Sequence, residues 1–290
     1  MKHIKHLVTT ITQQLQPLYD EREAAAVAYL YLQTKLGMQR YELVLHGQEC
    51  VGAQIMADIE RDVEKLKAGC PVQYVLGATE FYGLPFEVSP AVLIPRPETE
   101  ELVQMVIERY KGRNVRLWDI GTGSGCIAVT LAKMLPDAEV FATDVSEDAL
   151  AVARNNAQRN GVGVTFARHD MRDTENLPFG NQRLDVLVSN PPYIPASDRA
   201  TMHRNVTEYE PSLALFVPDD NKLWCYEAIA RLGQRVLNSS GRIFAETYHN
   251  FHEEIKEIFQ QYGMLEIQSV KDLNGHPRFI SATFPTTANY

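Results

Sequence analysis

Leu117-Trp118-Asp119-Ile120-Gly121-Thr122-Gly123-Ser124-Gly125-Cys126-Ile127 runs from an apolar stretch through three alternating glycines into a helix-forming segment. The pattern predicts a buried strand, a tight turn and a helix start. Glycine lets the turn adopt conformations closed to other residues and brings its backbone close to a ligand. The helix beyond presents its partially positive end to the same space. Outward from this stretch the chain alternates. Val115–Asp119, Glu139–Thr143, Val164–Ala167, Leu184–Val188 and Gly241–Glu246 read as strands, with helices predicted over Ile127–Met134, Glu147–Asn160, Leu223–Leu237 and Phe251–Gln261. That alternation predicts an α/β, doubly wound sheet. Leu265–Lys271 and Pro277–Phe284 flank Asn274-Gly275, a turn signal that makes the last two strands an antiparallel pair.

The glycine spacing bears on the ligand. Asp144 closes the second strand, where a carboxylate can accept hydrogen bonds from both ribose hydroxyls of an adenosine. A pyrophosphate-binding fingerprint spaces its glycines GxGxxG, whereas this loop reads GxGxG behind the acidic Asp119. An acidic group suits a cationic amino group, such as the methionine end of S-adenosyl-L-methionine, better than a pyrophosphate. Asp119, Gly121, Thr122, Gly123, Ser124, Gly125 and Asp144 are therefore the candidate cofactor residues. Asp170 and Met171 follow the third strand and are candidates to flank the adenine, although Asp170 reads equally as a surface carboxylate.

The second informative stretch is Asn190-Pro191-Pro192-Tyr193, directly after the strand Asp185-Val186-Leu187-Val188-Ser189. Two prolines stop a strand, and the first holds Asn190 extended. Open α/β sheets place ligands at this carboxyl end. Asn190 offers a side-chain carbonyl, Pro191 a backbone carbonyl and Tyr193 a flat ring, a set that suits a planar group bearing NH2. Asn190, Pro191 and Tyr193 are the candidate catalytic residues, Asn190, Pro191, Pro192 and Tyr193 the candidate substrate-binding residues, and Asn190 also adjoins the cofactor. A bare proline-rich loop is the structural alternative.

Composition narrows the class. The 290 residues carry a formal net charge of -9 and no evident basic stripe, which argues against gripping a nucleic acid directly. No apolar run approaches bilayer length, so no membrane partner is expected. The amino terminus, Met1-Lys2-His3-Ile4-Lys5, lacks a signal peptide's apolar core. Cys50, Cys70, Cys126 and Cys225 are scattered without a CxxC pair, so neither a disulfide framework nor a zinc ribbon is expected and a cytoplasmic location follows. His249 and His252 lack an evident third ligand, so no metal is predicted. His276 reads as structural or as part of a substrate-facing loop.

The first 72 residues read as helical. Ala24–Leu32 is a helix former, and Ile55, Ile59, Val63 and Leu66 make an apolar stripe, with Asp58, Glu60, Asp62, Glu64 and Lys65 mostly off it. Tyr41–Leu45 is ambiguous. The bundle suits a partner-docking domain or a stabilising cap. Residues 73–90 read as a hairpin linker turning at Gly83, and residues 91–290 as the catalytic domain. At its start Pro97 suits a helix's first turn, where Glu98, Glu100 and Glu101 favour the positive end.

With these motifs in hand the chain resembles the PrmC/HemK family, the peptide chain release factor glutamine methyltransferases. The likeness runs through Pro71–Gly77, Ile94–Glu100, Asp119–Gly125, Ser189–Ile194 and Asp272–Phe279. The Asn-Pro-Pro-Tyr tetrad alone is shared with adenine and guanine amino-methyltransferases; the Ile-Pro-Arg-Pro-Glu-Thr-Glu and Pro-Val-Gln-Tyr runs are more specific. The resemblance implies a small helical domain joined by a hairpin to a seven-stranded, Rossmann-like class I methyltransferase sheet. It implies S-adenosyl-L-methionine as donor, S-adenosyl-L-homocysteine as product, and the glutamine of the Gly-Gly-Gln loop of class-1 peptide chain release factors as acceptor. It places the donor on Gly121–Gly125 and Asp144, and the glutamine on Asn190–Tyr193. Two departures stand out. The family often carries an aromatic residue where Met171 stands, and a methionine can cover the same ring face with a softer contact. Glu246-Thr247-Tyr248-His249 lacks the expected glycine-containing run, so these four residues receive no role. The competing readings are a methyltransferase acting on a nucleic-acid base, a nicotinamide oxidoreductase and a non-catalytic adapter.

Overall fold

A computed structural model describes residues 3–180 and 182–285, which divide into two compact units. The first takes in the chain up to Ala78 together with residues 203–209. Its helices are α1 (Ile4–Leu15), α2 (Glu21–Leu36), α3 (Arg40–Leu45), α4 (Ala53–Lys67) and α5 (Val72–Leu76). Asp20 caps α2 by accepting from the Glu23 N–H at 2.8 Å, and Gly37 ends it in the left-handed conformation. Leu7, Ile11, Leu15, Ala28, Leu32, Leu43, Val63 and Leu66 form the core of this unit. The ambiguous Tyr41–Leu45 piece is helical, within α3. Residues 203–209 join this unit through the Tyr209 hydroxyl, which donates to the Ala68 carbonyl at 2.9 Å, and through His203 stacked on Tyr19.

The α4 stripe differs from the expected one. Ile55 is 40% exposed, and Asp62 is buried beside Ile59, Val63 and Leu66. At 100° per residue, positions 55, 59, 62, 63 and 66 all share one face, so Ile55 is exposed because it lies in the first turn of α4, and Asp62 falls on the buried side. Asp62 is tolerated there because its Oδ2 accepts from the Tyr31 hydroxyl at 3.0 Å and from the Lys35 ammonium at 2.8 Å, while Arg61 and Lys65 stand 3.9 Å from Oδ1. Burial pushes the Asp62 carboxyl up, but these two donors outweigh it and hold the group below the usual carboxylate range. Tyr31→Phe removes one donor from a buried carboxylate. It is expected to cost about 1–3 kcal/mol, read as a lowered Tm and an unchanged circular dichroism spectrum.

The second unit runs from Thr79 to Met202 and resumes at Glu210. A hairpin pairs β1 (Ala78–Phe81) with β2 (Leu84–Glu87), turning through Gly83 at φ 71°. The segment read as hairpin from residue 73 is thus part helix, since Gln73–Leu76 completes α5. There follow α6 (Pro97–Tyr110), β3 (Arg116–Ile120), α7 (Cys126–Met134), β4 (Glu139–Asp144), α8 (Glu147–Asn160), β5 (Thr165–Arg168) and β6 (Leu184–Ser189). After β7 (Ile194–Pro195) the chain makes the short helix α9 (Arg204–Tyr209), which belongs to the first unit, and then, back in the second, α10 (Ser212–Leu215), β8 (Phe216–Val217), α11 (Trp224–Val236), β9 (Leu237–Glu246), α12 (His252–Gln261), β10 (Leu265–Lys271) and β11 (Pro277–Thr283).

The main sheet has seven strands in the order β10-β11-β9-β6-β3-β4-β5. β3, β4, β5, β6 and β9 are parallel; β11 runs antiparallel to β9 and β10 to β11, as the Asn-Gly turn foretold. Strand residues face alternate sides. Leu117, Val186, Val188 and Phe244 pack under α6, α7 and α8; Trp118, Leu187, Ile243 and Ile280 pack under α11 and α12. Both faces are covered, which is why these strands read as near-continuous apolar runs. Among the described residues no helix is long and apolar enough to cross a membrane.

Candidate active site

The strand order reverses between β3 and β6, and open α/β sheets form their ligand crevice at such a point. The carboxyl end of β3 releases the glycine loop and that of β6 releases Asn190. The Ser189 hydroxyl ties the two ends by donating to the Ile120 carbonyl at 2.7 Å. Gly121, Gly123 and Gly125 all have positive φ, at 75°, 54° and 81°. A Cβ at Gly123 would meet no atom within 4 Å and would project into open space. One at Gly125 would stand 3.1 Å from the Ala153 Cβ, so this glycine lets the loop close against α8.

A cavity opens over this loop, lined by Gly121, Thr122, Gly123 and Ser124, by Asp144 at the end of β4, by Asp170 and Met171 after β5, and by Asn190 and Pro192. Asp144 accepts from the Gly123 N–H and the Ser146 N–H, both at 2.9 Å, which joins the loop to the α8 amino terminus. Burial pushes its pKa up, and these backbone N–H groups pull it back. Ser124 Oγ, buried in the wall, has no hydrogen-bond partner among the described residues. Met171 extends toward Gly121, its Cε standing 3.7 Å from where a Gly121 Cβ would sit. Asp170 lines the cavity while engaged by the Arg172 guanidinium at 2.6 Å, which holds its carboxyl below the usual range. Trp224, to which the sequence reading gave no role, also lines the cavity, and the Arg172 guanidinium lies over its ring at 5.5 Å.

Two loop residues sit behind this lining. Gly125 faces α8, and Asp119 is fully buried beneath the loop, where it accepts from the Thr122 hydroxyl at 2.6 Å. Burial raises the Asp119 pKa to about 7, with the Thr122 hydroxyl pulling the other way. An unfolded aspartate titrates near 3.8, so between that value and about 7 the folded chain holds a proton that the unfolded chain has released. Stability from this site is therefore full at low pH and declines as pH rises toward 7. Asp119→Asn is expected to flatten that decline, read as Tm against pH from about 5 to about 8; an unchanged slope would assign the proton elsewhere.

The acceptor end is built from three distant segments. Asn190 Nδ2 donates to Thr99 Oγ1 at 3.0 Å, and that hydroxyl donates to Glu246 Oε2 at 2.7 Å. The Tyr193 hydroxyl donates to Glu246 Oε1 at 2.9 Å. Pro191 is buried and Pro192 half-buried. Asn190 Oδ1 makes no hydrogen bond among the described residues, so its acceptor edge is the free one. Burial pushes the Glu246 carboxyl up, while the Thr99 and Tyr193 hydroxyls pull it down. Tyr193 leans on Tyr248, ring centroids 6.1 Å apart, and Tyr248 donates to Asp198 at 2.8 Å. Thr99 and Glu246 escaped the sequence reading. The available signals were the place of Thr99 in the first turn after Pro97 and of Glu246 at the carboxyl end of a central strand.

Cavity, glycine loop, terminal β4 carboxylate and strand order define a class I methyltransferase. A methyltransferase from Pyrococcus furiosus shares the fold at a TM-score of 0.51 and 20% identity, over 81% of this chain and all of that one. Residues 98–209 match the Methyltransferase small domain family and residues 6–77 the PrmC N-terminal domain family. A release factor glutamine methyltransferase of Flavobacterium psychrophilum is 41% identical over 97% of this chain and 99% of its own length. One from Bacteroides thetaiotaomicron is 36% identical over 96% and 99%. The chain belongs to the release factor glutamine methyltransferase family and is an S-adenosylmethionine-dependent enzyme.

Proposed function

We propose that this enzyme transfers a methyl group from S-adenosyl-L-methionine to the side-chain amide nitrogen of the glutamine in the Gly-Gly-Gln loop of class-1 peptide chain release factors, in the cytoplasm. The observation that carries the acceptor assignment is the polarity of Asn190. Its NH2 is committed to Thr99, so it offers a carbonyl oxygen, which selects a substrate that donates. An amide NH2 does; a carboxylate does not.

The donor fits the cavity on three counts. The backbone at Gly121 and Gly123 has room for close approach, Asp144 has acceptor capacity left for ribose hydroxyls, and Ser124 Oγ offers an unused polar group. Met171 would cover one adenine face with a soft, polarizable contact, and Asp170 would meet the ring's amino group. When bound, the donor supplies an activated methyl on a sulfonium.

The residues align and desolvate. A glutamine amide nitrogen is weakly nucleophilic because its lone pair is delocalised into the carbonyl. Asn190 Oδ1 and the Pro191 carbonyl accept its two hydrogens and aim the nitrogen at the methyl, while Tyr193 packs on the amide plane. The nitrogen–carbon bond forms as the carbon–sulfur bond breaks, and one amide proton then leaves to solvent. No strong base is required, since the nitrogen becomes acidic only as the new bond forms. Holding the two reactants in line is the main source of acceleration. The bundle of residues 1–72 serves as the docking domain for the factor.

The test is incubation with isotopically labelled donor and a purified class-1 release factor, with the methyl mapped by mass spectrometry. One methyl on the loop glutamine is expected. Label in DNA or RNA instead, or donor binding without turnover on the factor, would overturn the reading.

A further inference from the structure

We infer that Glu246, acting through the Thr99 hydroxyl, is the positioning residue that keeps the carbonyl edge of Asn190 turned toward the substrate. The inference rests on the acceptor assignment proposed above and explains how that polarity is enforced. An asparagine amide is nearly symmetric in shape, so packing alone distinguishes its two edges poorly. What distinguishes them is which neighbours can only donate or only accept.

Glu246 supplies that asymmetry. An ionised carboxylate accepts and does not donate. Thr99 has a single hydroxyl proton, and with Glu246 Oε2 at 2.7 Å that proton goes to the carboxylate. The Thr99 oxygen is left able only to accept, so the amide edge at 3.0 Å must be NH2. The order of donors runs one way, from Asn190 to Thr99 to Glu246, and leaves the acceptor edge free at the other end. The second Glu246 oxygen takes the Tyr193 hydroxyl at 2.9 Å, so one buried carboxylate orients both side chains beside the acceptor. The Tyr226 hydroxyl donates to the Glu246 backbone carbonyl at 3.1 Å, which pins the strand end from which the carboxylate projects.

Reversing the carboxylate's character reverses the chain. A glutamine at position 246 has an NH2 able to donate to Thr99. The Thr99 proton is then free to turn to Asn190, whose amide flips and offers NH2 to the substrate. Protonating Glu246 has the same effect. The charged and titratable groups around it are Arg278, Glu98, Tyr193, Tyr226 and Cys126. Of these Arg278 favours the ionised form and Glu98 opposes it.

The experiment compares the whole chain with Glu246→Gln, Thr99→Val and Thr99→Ser, on a release factor carrying its loop glutamine and on one with Gln→Glu at that position. Glu246→Gln and Thr99→Val are expected to lower kcat by about 10- to 100-fold, the usual scale for losing the partner that orients a functional side chain. The Kd for S-adenosyl-L-methionine should stay within about 3-fold, because the donor contacts lie on Asp144 and the glycine loop. Thr99→Ser should restore most of the rate that Thr99→Val loses. The wild type should bind the glutamine loop in preference to the glutamate loop, and Glu246→Gln should lose or invert that preference, which mere loosening of the site would not do. The wild-type kcat should fall on acidification at a pH above the ordinary glutamate range, and that acid limb should vanish in Glu246→Gln. If the wild type methylates the factor while Glu246→Gln keeps both its kcat and its preference, the inference fails and the acceptor assignment stands. If the wild type leaves the factor unmethylated, the acceptor assignment itself fails. Thermal denaturation of each variant separates these results from unfolding.

Discussion

Asn190→Ala is expected to lower kcat by about 100- to 1,000-fold, the scale of removing one preorganised polar group aimed at a reacting centre. Donor affinity should fall less than about tenfold, because Asn190 is one of many cavity residues whereas its Oδ1 is the side-chain acceptor proposed for the amide. The fold should survive. Alanine before Pro191 takes the same extended backbone, and the lost hydrogen bond to Thr99 is one of several around Glu246. The loss should appear in single-turnover rates with saturating factor and donor, since the missing group acts on alignment. Parallel losses in turnover and in donor titration would mean that Asn190 serves chiefly to build the donor pocket, and the proposed division of labour would fail.

Asp144→Ala should have its main effect on the other substrate. Removing a charged acceptor costs about 1.5–3 kcal/mol per hydrogen bond, so losing even one of the two ribose contacts should raise the Kd for S-adenosyl-L-methionine by about 10- to 150-fold in a calorimetric titration. The glycine loop should also loosen, since the Gly123 N–H loses Oδ2 and the Ser146 N–H loses Oδ1 of the one carboxylate that joins them. At saturating donor kcat should recover much of its wild-type value, because Asp144 touches neither the Asn190 edge nor Glu246. Asp144→Asn, which keeps one oxygen, should fall between. Burial raises the wild-type Asp144 pKa, so protonation and loss of donor affinity should begin at a higher pH than for an exposed aspartate. An unchanged Kd in Asp144→Ala would place the ribose elsewhere in the cavity.

The layers of the sheet domain and the two ends of its crevice are legible along the chain. Apolar runs covered on both faces, a glycine turn into a helix and two prolines after a strand are local signals, each read within a few residues. The Asn-Gly turn likewise fixed the antiparallel pairing of β10 with β11. Where polar groups at the ends of different elements meet is set instead by how those elements pack. Thr99 lies 91 residues from Asn190 and 147 from Glu246, and no spacing rule relates them. They converge because α6 covers the face of β9 and β6 and starts beside their carboxyl ends. The same holds within the helical unit, where Asp62 looked solvated until Tyr31 and Lys35, on another helix, supplied its partners. A buried charge is settled by what surrounds it in three dimensions, and side chains can satisfy one another across any separation along the chain.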